Sequence, residues 1–216
     1  MAGAPWNDDD PTDAALIATN ALALVQQIHA NSPARDPLTL EVLQEWHGRL
    51  FAGCTVPIAG YVGHFRGDSD VLELLDYEVQ VGGVLGVRAA VVEARIKSLL
   101  DALNQALVGL DAQIHTGAMP DRAEIQAIIL LCARMHGEWV RIHPFANGNG
   151  RTARVIVAWL ALRYNLPVFL NIKPRPATLD YAMAAQISMG PRQPSQDRDR
   201  PMAQVFAHML NTLLGP

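Results

Sequence analysis

The chain has 216 residues, half of them hydrophobic and 18% charged, and 17 Lys and Arg against 21 Asp and Glu give a formal charge of -4. That length supports one domain with its own core, and the mildly acidic balance argues against a nucleic-acid partner held by bulk charge. With only Cys54 and Cys132, a disulfide-dense secreted scaffold is excluded and two free thiols are expected.

The opening stretch MAGAPWNDDDP is small, acidic and turn-forming, the opposite of a signal peptide, so residues 1–11 read as a flexible tail ahead of a single domain over 12–216. Leu16, Leu22 and Val25 suggest a first helix. Asp36 and Pro37 offer an N-cap and an N1 proline for a second, with Leu40, Leu43, Trp46 and Leu50 as its buried stripe. The period then changes from helical to alternating: Tyr77, Val79 and Val81 face one way and Glu78 and Gln80 the other, up to the pair Gly82 and Gly83. A small β-hairpin is expected there, with a return strand near Val84–Val87.

Val91, Val92, Ile96, Leu99, Leu103 and Leu107 mark a third helix. Asp121 and Glu124 are spaced as a capping box for a fourth, whose inward residues are Ile125, Ile128, Cys132, Met135 and Trp139. A fifth follows Gly150 with Val155, Trp159 and Leu162 on one face; a sixth runs from Thr178 to Met189 and stops at Gly190; a seventh follows Pro201. The stretch from Pro191 to Arg200 reads as a solvated connector. The expected class is all-α, with about seven helices and one hairpin. Runs such as Ile128–Leu131 and Val155–Leu162 fall short of the roughly 20 apolar residues a membrane span needs, so a protein off the membrane is expected.

Chemistry concentrates between the fourth and fifth helices, in HPFANGNGRTAR over residues 143–154. Gly148, Asn149 and Gly150 bring backbone N–H groups together at a helix start, which favours a bound anion. Arg151 and Arg154, three apart, add two cationic forks on one side of the first turn, where they oppose the helix macrodipole. That arrangement costs stability until an anion arrives, which points to binding. His143, restricted by Pro144, is a competent general base near neutral pH, and Phe145 reads as the apolar anchor of the loop. Cys132 and His136 share a helix face at i and i+4 but have too little company for zinc, so core packing is their reading.

These residues resemble the signature HPFx(D/E)GNGRxxR of the Fic family and match every fixed position but one: residue 147 is Asn. The motif is long and gapless, and the hairpin ahead of it, at about 74–88, is similar to the family's flap. The resemblance implies a Fic-like helical domain that transfers AMP from ATP to a Ser, Thr or Tyr hydroxyl of a target protein. It implies His143 as the base; Gly148, Asn149 and Gly150 as the anion hole; Arg151 and Arg154 as phosphate holders; and Tyr181 near the nucleotide base. Tyr77, Val79 and Val81 would clamp a target segment as an added strand. Gly150 and Arg151 set the motif apart from the family's kinase-like branch, HPFxDANKR.

The family's acidic residue ligates Mg2+, and Asn147 offers only a neutral oxygen, so weaker metal use, chiefly through the ATP phosphates, is expected. The family's inhibitory pattern (S/T)xxxE(G/N) has no match; Ser69 to Glu73 continues with Leu74. Restraint by a separate antitoxin is the corresponding expectation. Transfer of UMP or another phosphate-linked group, and a catalytically weak nucleotide-binding regulatory module, are the alternatives. Cytoplasmic residence is expected, with export as an effector left open.

Overall fold

The computed structural model describes residues 4, 6–7, 11–81, 84–190 and 197–215. Among them are eight α-helices and one two-stranded hairpin: α1 (Ala14–Asn31), α2 (Leu40–Leu50), α3 (Leu72–Leu75), β1 (Gln80–Val81), β2 (Val84–Leu85), α4 (Val92–Gln113), α5 (Arg122–Ile142), α6 (Asn149–Arg163), α7 (Leu179–Met189) and α8 (Arg200–Leu214). The fold is all-α, as the periodicity predicts, and the single-turn α3 is the helix it does not predict. Gly82, Gly83 and residues 191–196, to which a turn and most of a connector were assigned, lie outside the described residues. No helix among the described residues is long and apolar enough to cross a membrane.

Helices α5 and α6 form the central pair; α4, α7 and α8 pack on α5, while α1 and α2 pack on α6. Local chemistry starts these elements. In α5 the Asp121 carboxylate accepts from Glu124 N at 2.9 Å and the Glu124 carboxylate accepts from Asp121 N at 2.7 Å, a complete capping box. Thr178 Oγ1 accepts from Tyr181 N to start α7. Helix α2 departs from the sequence reading: Thr39 is its N-cap, three residues after Asp36. The intervening Leu38 is buried and the Asp36 carbonyl accepts from Arg163, so this stretch runs along the core before the helix begins.

The stripe of α1 is also displaced. Ile17, Ala21, Leu24 and Ile28 are buried at helical spacing, whereas Leu16 and Leu22 are exposed. In α4 the inward set is Val92, Ile96, Leu100, Leu103 and Leu107, and Val91 faces out. Helix α6 is buried on every face rather than one, because it has neighbours on both sides; Ala153, Ala158 and Ala161 let them approach closely. Its arginines are therefore held inside the fold, not on a solvated face.

Residues 1–11 do not behave as a tail at Trp6. Its indole is buried against His47, Phe51 and Tyr61, its carbonyl accepts from Asn147 Nδ2 at 2.5 Å, and the Ala4 carbonyl accepts from Tyr61 Oη at 3.1 Å. An aromatic of this size gains more from burial than the ordering of its backbone costs, and acidic composition around it does not report that.

Candidate active site

The site begins where α5 ends. His143 takes the left-handed conformation at φ 54°, which turns the chain out of the helix, and its N–H donates to the Trp139 carbonyl at 3.0 Å. Its Nδ1 lies 3.1 Å from the Val140 carbonyl. A carbonyl only accepts, so Nδ1 carries the proton and Nε2 keeps its lone pair. Burial, with a further push from Arg66, holds this imidazole down to about 4 against the lift from Val140, so it is neutral at pH 7.

The loop after His143 is clamped from within. Asn149 Oδ1 accepts from Phe145 N at 2.8 Å while its Nδ2 donates to the Phe145 carbonyl at 2.9 Å, which closes the turn like a rung of sheet. The Asn149 side chain is thus committed to the loop, and only its backbone N–H belongs to the helix start. Phe145 is fully buried and stacks on His47, ring centroids 3.7 Å apart and planes 15° apart. His47 Nδ1 accepts from Gly63 N at 3.0 Å, so its Nε2 is the donor to the Asn147 carbonyl at 3.1 Å. Desolvation lowers its pKa to about 3 and keeps this brace neutral.

Gly148 caps α6 at φ 75°, and a Cβ there would sit 2.4 Å from Phe51 Cε2. Glycine is required by both the backbone conformation and the space. Beyond it the amides of Asn149 and Gly150 open the helix, where the first N–H groups have no intrahelical acceptor. Arg151 lies over the Phe51 ring, 5.6 Å from its centroid. Arg154 donates from Nε and Nη2 to the Ile172 carbonyl at 3.1 and 2.7 Å, and its Nη1 lies beside Gly150. Burial pushes Arg154 down from its usual range, and the Tyr181 hydroxyl lifts it back.

His143, Gly150, Arg151, Arg154 and Tyr181 line one cleft of about 470 Å³, to which Lys173 and Arg175 of the α6–α7 connection also contribute. Among the described residues, four cationic side chains and no carboxylate line it. Tyr181 is buried; its hydroxyl pairs with His136 Nε2 at 2.8 Å, and Arg175 lies 5.8 Å from its ring centroid. Its oxygen thus supports Arg154 and its ring meets Arg175. His136 is neutral, lowered by burial to about 3, and Cys132 is buried nearby in the core.

Asn147 does not line the cleft. Its Nδ2 donates to the Trp6 carbonyl and its Oδ1 accepts from Gly148 N at 2.9 Å, so the amide braces the turn from behind. Among the described residues there is no cluster of three His, Cys, Asp or Glu that could hold a metal. Asn147 Oδ1, the one oxygen its side chain could offer a metal, is engaged by the Gly148 N–H.

The flap residues divide. In the hairpin Gln80 pairs with Leu85 and Val81 with Val84, and the Gly86 N–H to Val79 carbonyl bond at 3.0 Å extends the ladder by one step. Tyr77 precedes the strand and packs edge-on against Tyr61 at 5.4 Å, so it roots the flap instead of forming its edge. The Val81 side chain lies outside the described residues. Sequence reasoning missed Arg66, His47, Lys173 and Arg175. The first two act through partners far away in sequence, and the last two sit in a connection with no pattern to mark them.

An imidazole, four cationic side chains and the start of a helix thus share one cleft, a set suited to an anionic ligand. A family model for the Fic/DOC family matches residues 37–161, and the chain belongs to that family. A Fic-domain-containing signaling protein from Bacteroides thetaiotaomicron is similar in structure at TM-score 0.62 and 20% identity, over 91% of this chain and 68% of that one. Fic-1 (residues 134–508) from C. elegans is similar at TM-score 0.59 and 20% identity over 94% of this chain, which spans 51% of its length. No curated protein matches the chain.

Proposed function

We propose that this protein is an adenylyltransferase that moves AMP from ATP to a Ser, Thr or Tyr hydroxyl of a target protein. The observation that carries the reading is that His143, with Nδ1 committed to the Val140 carbonyl, lines the same cleft as Gly150, Arg151 and Arg154. His143 Nε2 takes the hydroxyl proton as the target oxygen bonds to the α-phosphorus. The bond from that phosphorus to the bridging oxygen breaks, and pyrophosphate leaves with the electron pair. Arg151, Arg154, Lys173 and Arg175 neutralise its charge, and the α6 amides hold the anion, which is the main task in phosphoryl-type transfer. A base at about 4 is weak, but a bound polyphosphate raises the imidazole toward neutrality, where proton transfer is most effective. Mg2+ held chiefly by the ATP phosphates would help to neutralise the leaving pyrophosphate.

The engaged Asn147 amide favours one other reading, a nucleotide-binding module that regulates a partner. A separate inhibitory protein is the proposed source of restraint, since Glu73, in the nearest match to the inhibitory pattern, is exposed on α3 and does not line the cleft. Incubation with candidate targets and ATP labelled at the α or γ phosphate separates these outcomes. Transfer of α label with an AMP mass increment is expected. Transfer of γ label, or binding without transfer, overturns the reading.

A further inference from the structure

Arg66 is a charged side chain with no exposure, and its hydrogen bonds do not end on a carboxylate. Nε donates to the His143 carbonyl at 2.7 Å, Nη1 to the Tyr77 carbonyl at 2.8 Å, and Nη2 to the carbonyls of Val87 and Ile142 at 2.7 and 3.1 Å. Glu78 Oε2 stands 3.6 Å from Nη1. The Arg66 N–H also donates to the Pro144 carbonyl at 2.7 Å. One planar fork therefore ties both ends of the flap, at Tyr77 and Val87, to the last carbonyls of α5 and to the backbone of His143 itself.

Burying a guanidinium is costly, and a core of this size could be packed with apolar groups. What an apolar residue could not do is satisfy the two carbonyls at the end of α5 and the two at the flap base at once. His143 is a non-glycine residue in the left-handed region, held there by its own N–H bond to Trp139 and by the bond its carbonyl accepts from Arg66. We propose that Arg66 is a positioning residue that couples the flap to the catalytic base, so that the seating of a target strand and the aim of the imidazole are set by one side chain. The proposal rests on the transferase reading for the words target and base, but its geometry does not.

The separation of charge from fork supplies the test. Arg66 also lowers the affinity of His143 for a proton. Among the described residues the other charged groups on that cleft are Arg151, Arg154, Lys173 and Arg175, with the Glu138–Arg141 pair on the same helix as His143, and none of them is changed in the variants below. Arg66→Lys keeps the charge and loses the planar fork; Arg66→Met loses both. Gly86→Ala perturbs the flap itself, because its Cβ would meet Val79 Cγ2 at 2.9 Å, next to the Val87 carbonyl that Arg66 holds, while it makes only ordinary contact with Arg66 Nη2 at 3.5 Å.

Imidazole NMR titration of His143, amide hydrogen exchange over residues 77–87, and target KM and kcat are read in parallel. In Arg66→Lys the titration midpoint is expected to stay within about 0.3 unit while flap exchange rises at least tenfold. In Arg66→Met the midpoint is expected to rise, since a cation beside the ring is lost. Gly86→Ala is expected to shift the His143 ring resonances although it lies on the flap, and both Gly86→Ala and Arg66→Lys to lower kcat at least tenfold. Unchanged His143 resonances in Gly86→Ala, or restoration of both exchange and turnover by Lys, would overturn the coupling. If the unsubstituted protein transfers no label, the adenylyltransferase reading fails while the titration and exchange still decide the role of Arg66.

Discussion

The motif loop and the flap sit at the two ends of the same guanidinium and are built in opposite ways. The loop is buried, with Asn149 clamping Phe145, His47 stacked behind it and Gly148 fitted against Phe51. The flap is a hairpin of two-residue strands with Leu85 70% exposed, rooted by Tyr77 and Arg66. A short hairpin is marginal by itself, so its order comes from its root. The difference teaches that the motif loop is framed on every side, whereas the hairpin is held at its base.

The contrast breaks most sharply at Gly148. Gly148→Ala places a Cβ against a buried ring at a left-handed position, and a loss of about 2–4 kcal/mol of stability is expected from overpacking and backbone strain together. Calorimetry should show a fall in Tm on the order of 5–10 °C. An unchanged Tm would mean that the loop is not rigidly framed.

A smaller effect follows from the neutral braces. In the unfolded chain His47 and His136 take up protons near pH 6.5, whereas in the fold both resist until about pH 3. The unfolded state therefore binds more protons as pH falls through that window, and stability declines, by up to about 2 kcal/mol per imidazole at pH 5. Urea midpoints at pH 7 and pH 5 measure it. His47→Gln offers similar donor and acceptor positions without titrating, and it should recover part of the loss at pH 5.

The smallest effect belongs to the flap. Leu85→Ser, at an exposed position, is expected to change stability by less than about 0.5 kcal/mol while raising the KM for a target segment. A large Tm change there would make the hairpin part of the frame and erase the distinction.

How much of this the sequence discloses depends on the range of the interaction. The Asp121–Glu124 box and the Thr178 and Gly190 boundaries of α7 are local, and they read directly. The motif over 143–154 is contiguous, so its chemistry is legible before its geometry. The sequence points to the Asn149 backbone N–H for an anion, but its spacing says nothing of a side chain that folds back four residues to Phe145. His47 reaches the Asn147 carbonyl across 100 residues, and Arg66 gathers carbonyls from three segments, so neither leaves a periodic trace. Trp6 stands in an acidic context that describes its neighbours better than itself.

The central claim is that a neutral imidazole with a free Nε2 works beside a separately built phosphate cradle. It is tested most directly by His143→Ala, with transfer to a target and ATP affinity measured on the same preparation. The account predicts that transfer falls by about 10²-fold or more while the nucleotide Kd stays within about threefold. Transfer that survives the substitution, or an affinity lost together with it, would contradict the account.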